Sequence, residues 1–198
     1  YLIGFLEEFI ELPGIMTFEE MGLHCLAAMH PPTYVHSLQV ADITKLLTDY
    51  MIRISPEQFV GTLSCDSIEE VNENKDSIVQ FAYHCGLCHD FGKITLIDTI
   101  FVYGRNILDS EFDIIKLHTL MGEAYLSKYS STKDFAPYAK AHHAWWNGKG
   151  GYPSNIHSPN TLVGILEIAD CIDAATDTIG RSYNTGKTLS QVLDEIVD

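Results

Sequence analysis

The chain has 198 residues, 46% of them hydrophobic, with 27 acidic against 12 basic side chains for a net charge of −15. That hydrophobic share suffices for one sizeable core and excludes a disordered chain, while the acidic balance argues against a nucleic-acid polymer or an anionic membrane surface as partner. Any phosphate-bearing ligand must be drawn in by local positive charge, a metal or a few focused Lys and Arg. Five cysteines, an odd number, without a secretory signal pattern point to a reducing, cytoplasmic compartment. No apolar run approaches the roughly 18 residues of a membrane span. Tyr1 opens the chain in place of Met, which suggests a stretch cut from something longer, with a regulatory or membrane-attached portion outside it.

Leu2, Phe5, Leu6, Phe9 and Ile10 recur at helical spacing, and Pro13-Gly14 stops them. Thr17 with Glu20 three residues on reads as a capping box, opening a helix through Met21, Leu23, Ala27 and Ala28 to His30, which Pro31-Pro32 ends. A third helix is expected from about Thr33 to Arg53, with Val35, Leu38, Ile43, Leu46 and Leu47 as its buried side and His36 in its first turn. Ser55 before Pro56 marks a short helix, and residues 64–74 read as a polar loop.

Ile78 to His89 is apolar enough for a buried central helix. The connector 98–108 contains Ile100-Phe101-Val102 as a candidate extended piece, after which Asp109 or Ser110 caps a helix through Ile114, Ile115, His118 and Leu126. Ala136 to Ala144 is a short helix with Pro137 near its first turn, and the glycine- and proline-rich stretch 145–159 is a long ordered loop. Thr161 to about Thr178 is a strongly apolar helix, and Thr188 with Gln191 opens a last one. With no alternating strand, repeat or low-complexity tract, the fold class is all-α: an orthogonal helical bundle around the Ile78 to His89 helix. Residues 1–198 are expected to form one domain, with 1–32 as N-terminal helices packing on it.

Metal-competent side chains lie on or beside these helices: His36, the pair His89-Asp90, His118, the pair His142-His143, and Asp170. Apolar neighbours turn each of them inward. Seven such ligands exceed what one ion takes and suit two sharing a bridging carboxylate, for which Asp90, with two oxygens, is the natural choice. Asp170 interrupts the apolar run Leu162 to Ile172, where a lone charge is costly unless paired or metal-bound. Cys85 and Cys88, at helical spacing, read as small core residues in preference to a metal or redox pair.

Taken in order, these blocks resemble the HD superfamily of metal-dependent phosphohydrolases and, more narrowly, its HD-GYP branch of cyclic dinucleotide phosphodiesterases. The likeness runs from about Tyr34 to Val192. It rests on His36, on His89-Asp90-Phe91-Gly92-Lys93, on His118-Thr119-Leu120-Met121-Gly122, on His142-His143 with Gly151-Tyr152-Pro153, and on Asp170-Cys171-Ile172-Asp173-Ala174 with Arg181-Ser182-Tyr183 after it. Ala144 stands where the family usually has Glu, and Asn147 where it usually has Asp. The stretches 53–78, 148–153 and 174–181 are longer than usual, and Pro32 occupies the place of an acid that completes a third metal site in trinuclear members.

The resemblance implies His36, His89, Asp90, His118, His142, His143 and Asp170 as ligands of two divalent ions, iron or manganese, with zinc and nickel also compatible. It implies hydrolysis of a nucleotide phosphoester, with cyclic di-GMP the leading substrate. Asp90 and Lys93 are its catalytic residues, Lys93 reaching a phosphate oxygen or the leaving group; Lys93, Tyr152, Arg181 and Lys187 are its substrate contacts, with a lock on the loop as the other reading of Tyr152, and Asp173 either orients a histidine or caps a backbone group. Two rivals stay open: an HD-family hydrolase of another nucleotide or phosphate ester, and a degenerate metal- or ligand-binding sensor, which Ala144, Asn147 and the lengthened loop keep in play. Trp145 and Trp146 read either as a stacking face for a base or as packing. The partners expected are a small nucleotide, a regulatory domain outside this stretch and a second copy in a homodimer, with no direct membrane insertion.

Overall fold

The structure, a computed structural model, describes residues 15–100, 107–154, 156, 160–177 and 186–197. The expected helix over 2–12 and the extended piece at Phe101-Val102 lie outside them. The described residues form helices and 3-10 turns with no strand, as an all-α fold requires. In chain order the α-helices are α1 (Phe18–Met29), α2 (Pro31–Ile54), α3 (Ile68–Glu73), α4 (Lys75–Cys88), α5 (Ile97–Ile100), α6 (Asp109–Ile115), α7 (His118–Leu126), α8 (Ala136–Ala141), α9 (Thr161–Thr176) and α10 (Leu189–Val197). None of them is long and apolar enough to cross a membrane.

Local chemistry sets the helix ends. At α1 the Thr17 and Glu20 side chains exchange bonds with each other's backbone N–H at 3.2 and 2.7 Å, the reciprocal capping that the sequence signals. His30 closes α1 and opens α2 at once: its backbone N–H donates to Leu26, and its ring Nδ1 accepts from the Thr33 N–H at 3.3 Å. Pro31 and Pro32 supply a first turn that needs no N–H, so α2 begins two residues earlier than expected and His36 lies in its second turn.

Helix α4, like α2, contributes to all three core clusters. Leu87 and Cys88 join Phe18, Leu26, Phe91, Leu126 and Ala139; Ala82 and Cys85 join Val40, Leu162, Leu166 and Ala169; Ile78 and Val79 join Ile52, Phe59, Val71 and Ile165. The expected central helix is therefore central. Its neighbour α2 approaches so closely that a Cβ on Gly86 would lie 2.5 Å from the Ala41 Cα.

That approach rotates the buried face of α2 away from the one expected. Its buried side is Thr33, His36, Ser37, Val40, Ala41, Thr44, Thr48 and Ile52, while Val35 and Leu46 are 48% and 68% exposed. Small side chains let the two backbones meet, and the bulkier Leu38, Ile43 and Leu47 pack at the margins. Three further expectations are corrected. Residues 64–74 are no loop throughout, because Ser67 accepts from the Glu70 N–H at 3.2 Å and caps α3, which Val71 anchors in the core. The Ser55 side chain caps nothing; Pro56–Phe59 is a 3-10 turn held by buried Phe59. The helix expected from Asp109 through Leu126 breaks at Lys116-Leu117 into α6 and α7, and Asp109 lies inside α6 with Leu108 at the cap position.

Candidate metal centre

The break between α6 and α7 shows how the site is built. His118 follows it, and the His118 Nδ1–H donates to the Ile115 carbonyl at 2.6 Å. His89, just after α4, donates likewise to Gly86 at 2.7 Å, and His142, just after α8, to Ala139 at 2.7 Å. Each acceptor is a carbonyl three residues back in the last turn of a helix, where no further helical N–H reaches it. The bond fixes the tautomer, so each ring presents its Nε2 lone pair inward. His36 is oriented by another route, its Nδ1 bonded to the Asp173 carboxylate at 2.6 Å.

These lone pairs converge on Asp90, which is wholly buried. Its Oδ2 lies 3.6 Å from His36 Nε2 and 3.4 Å from His89 Nε2. Its Oδ1 lies 3.4 Å from His118 Nε2 and 3.9 Å from His142 Nε2. One carboxylate thus faces two imidazole pairs, one through each oxygen. Asp170 repeats the pattern, with Oδ1 at 3.0 Å from His36 Nε2 and Oδ2 at 3.6 Å from His143 Nδ1. All seven residues singled out from the sequence therefore meet in one place, contributed by α2, the end of α4, the start of α7, the end of α8 and α9.

The donor set fits cations. His118 Nε2 and His142 Nε2 face each other at 3.1 Å although both Nδ1 atoms are already committed as donors. Two lone pairs at that distance repel unless a positive charge sits beside both. A proton is disfavoured: burial, against the pull of Asp90, holds His118 down to about 3, and burial followed by the neighbouring imidazoles holds His142 well below its ordinary value. Two ligand nitrogens about 2.1 Å from one ion and at right angles to each other lie about 3.0 Å apart, close to the observed spacing. Among the described residues, the buried His89 Nε2 and Asp90 Oδ1 also lack hydrogen-bond partners. Such orphaned buried atoms are costly, and an ion between them removes the cost.

Protonation states divide the site. Burial raises the cost of a charge on Asp90, but Lys93 and the imidazoles outweigh it and hold its carboxyl well below the usual range. Asp170 is held low as well: burial opposes the charge, and His36 and His143 more than offset it. Burial, above all, depresses His89, and takes His143 to about 4. His36 is the exception, because Asp170 and Asp173 overcome burial and lift it to about 9.

Around this centre, Lys93 forms an ion pair with Asp90 Oδ2. Tyr152 lies against the His143 ring with centroids 4.5 Å apart. The Tyr152 N–H donates to the His143 carbonyl at 3.0 Å, and Ala144 bridges to Gly151, fastening the glycine loop to the end of α8. Gly151 has a φ of +81°, and a Cβ there would lie 2.0 Å from the His143 oxygen, so only glycine fits. Lys187 sits elsewhere, paired with Glu195 at 2.6 Å on the exposed side of α10. Arg181 lies outside the described residues. Cys85 and Cys88 are buried in the core, and the Cys88 thiol donates to Glu19 at 3.6 Å.

Two features had escaped the sequence reading. His30, at the end of α1, caps α2 and also lies within the electrostatic reach of Lys93 and Asp90. Glu167, one turn before Asp170 on α9, is half-buried, and burial followed by Asp170 raises it to about 7. Its position three residues from a ligand on one helix was the available signal.

Against known proteins, the chain is 30% identical over 164 residues to a cyclic di-GMP phosphodiesterase of Thermotoga maritima, a match covering 80% of this chain and 44% of the relative. It is 24% identical over 151 residues to a cyclic di-GMP phosphodiesterase of Vibrio cholerae, covering 72% of this chain and 28% of that protein. The chain therefore spans less than half the length of these relatives. The HD-domain family model matches residues 33–175, the segment that carries every one of the seven converging side chains. The chain belongs to the HD-domain family.

Proposed function

We propose that this HD domain is a metal-dependent phosphodiesterase that hydrolyses cyclic di-GMP, using two divalent ions, iron or manganese. His36, His89 and Asp170 would hold one ion and His118, His142 and His143 the other, with Asp90 between them. The observation that carries this reading is the division of Asp90, one oxygen toward His36 and His89 and the other toward His118 and His142. The activity named for both relatives supports the choice of substrate.

Ions held there supply a water acidic enough to be hydroxide near neutral pH and positive charge beside the phosphate oxygens. The chain's own residues prepare that chemistry. The tethered imidazoles keep their lone pairs inward before any ligand arrives, and Asp90 stays ionised despite burial. Lys93 holds Asp90 through one N–H and has two further donors for a phosphate or leaving-group oxygen. Tyr152, set on the His143 ring, would contact the substrate beside the ions.

The test is protein loaded anaerobically with iron(II) or manganese(II) and mixed with cyclic di-GMP, with linear dinucleotide or GMP as the expected product. Two bound ions without that product sink the substrate assignment, and turnover of another phosphate ester then identifies the broader hydrolase. The buried Ala144, where the family usually has Glu, favours one rival, a sensor. Its signature is two bound ions with no turnover of any phosphate ester.

A further inference from the structure

Helix α9 carries the site's Asp170, and one and two turns before it stand Glu167 and Gly164. The Trp146 ring packs over Gly164, so closely that a Cβ there would lie 3.0 Å from the indole. Trp146 is nevertheless 58% exposed. An indole pinned by one face to a helix backbone and open on the other is a preformed stacking surface, held without the rotamer freedom of a loose surface aromatic.

Glu167 follows Gly164 by three residues on the same helix. Residues three apart on a helix have Cβ atoms about 5–6 Å apart, and helical side chains lean toward the N-terminus, so Glu167 leans toward the turn that Trp146 covers. Glu167 is half-buried, and among the described residues no side chain or backbone group donates to it and no cation pairs with it. Burial and Asp170 both act against its charge. Among the described residues, a carboxylate so placed lacks donors.

We propose that Trp146 and Glu167 form a guanine-binding subsite, the indole stacking on the base and the carboxylate accepting from the guanine N1–H and exocyclic amine. Guanine presents those two donors side by side, as a carboxylate's two oxygens require; adenine presents a lone pair at N1 and is repelled. The register suits a nucleotide as well. At about 1.5 Å per residue, Gly164 lies roughly 9 Å along the axis from Asp170, so a base on Trp146 leaves its sugar and phosphate reaching toward the ligand cluster. The inference rests on the phosphodiesterase reading for its substrate and adds how the base is chosen.

The chain has two tryptophans, Trp145 and Trp146, so Trp145→Phe leaves indole fluorescence from Trp146 alone. Titrating that variant with GMP and with AMP is expected to give quenching that saturates at least about tenfold lower in GMP. Glu167→Gln in the same background is expected to abolish that preference. Equal affinities for GMP and AMP, or a preference that survives Glu167→Gln, overturn the subsite.

A kinetic arm separates this from the underlying reading. Bis(p-nitrophenyl) phosphate, a phosphodiester without a base, reports hydrolysis by the wild-type protein independently of recognition. Glu167→Ala is expected to lower the ratio of kcat/KM on cyclic di-GMP to that on this ester at least about tenfold. An unchanged ratio overturns the subsite. A wild-type protein inactive on both esters overturns the phosphodiesterase reading, while the nucleotide titration still decides the subsite.

Discussion

Replacing Gly92 with alanine should damage fold and metal centre together. Gly92 sits in the 3-10 turn Phe91–Leu96, two residues after Asp90, and a Cβ there would lie 1.8 Å from the His118 carbonyl oxygen, 2.6 Å from its carbon and 2.7 Å from the Gly122 nitrogen. All three are backbone atoms, so no rotamer change relieves the clash. To restore even 3.0 Å, the start of α7 must retreat by about 1.2 Å from the turn that carries Asp90. Overpacking of this kind costs about 1–3 kcal/mol, equivalent to a Tm drop of roughly 2–12 °C for a chain of this size. The same retreat lengthens the 3.4 Å approach of His118 to Asp90. A misplacement of about 1 Å at a reacting centre costs on the order of 100-fold in turnover. Scanning fluorimetry, elemental analysis after desalting and cyclic di-GMP turnover read the three effects. A Gly92→Ala protein with wild-type Tm and ion content would refute the packing geometry on which the site depends.

Asp173→Ala removes the acceptor for His36 Nδ1 while leaving the carbonyl tethers of His89, His118 and His142 in place, so ion affinity should fall about 10–100-fold in chelator competition; unchanged affinity would show that the 2.6 Å contact does not orient His36. Without ions, His118 and His143, held to about 3 and about 4, favour the fold in their neutral forms; the stability they contribute is present above the unfolded value of about 6.5 and lost as pH falls toward those values. His36 works in the opposite window, its contribution complete below about 6.5 and lost as pH rises through about 9. In chelator, Tm should therefore decline on both sides of neutrality, and a profile flat into mild acid would contradict the assignment. Ion binding near neutral pH should expel a proton from His36, which calorimetry in buffers of different ionisation enthalpy measures. Cys85→Ala should keep the full ion content, at a cost of about 1 kcal/mol for a small core truncation, because the thiol is buried among Val40, Leu162 and Leu166.

The sequence was most legible where a single residue pair dictates local structure. The Thr17 and Glu20 side chains cap the start of α1, Thr188 with Gln191 does the same for α10, and the apolar run before His89 becomes α4. The seven converging side chains were legible through type and order. Three physical facts were not. Hydrophobicity alone points Val35 and Leu46 of α2 inward, whereas close approach to Gly86 selects the face with Ala41, Ser37 and Thr44. Polar composition hides α3, whose Ser67 and Glu70 cap a helix with Val71 as its one buried side chain. The imidazole tethers use backbone carbonyls at Gly86, Ile115 and Ala139, which any residue supplies, so no side-chain pattern marks them.

Anomalous scattering from crystals grown with iron or manganese tests the central claim most directly, since it gives ion number and position together. Two peaks are expected, one beside His36, His89 and Asp170 and one beside His118, His142 and His143, with Asp90 between them. A single peak, or a peak at Cys85 and Cys88, would contradict the two-ion centre.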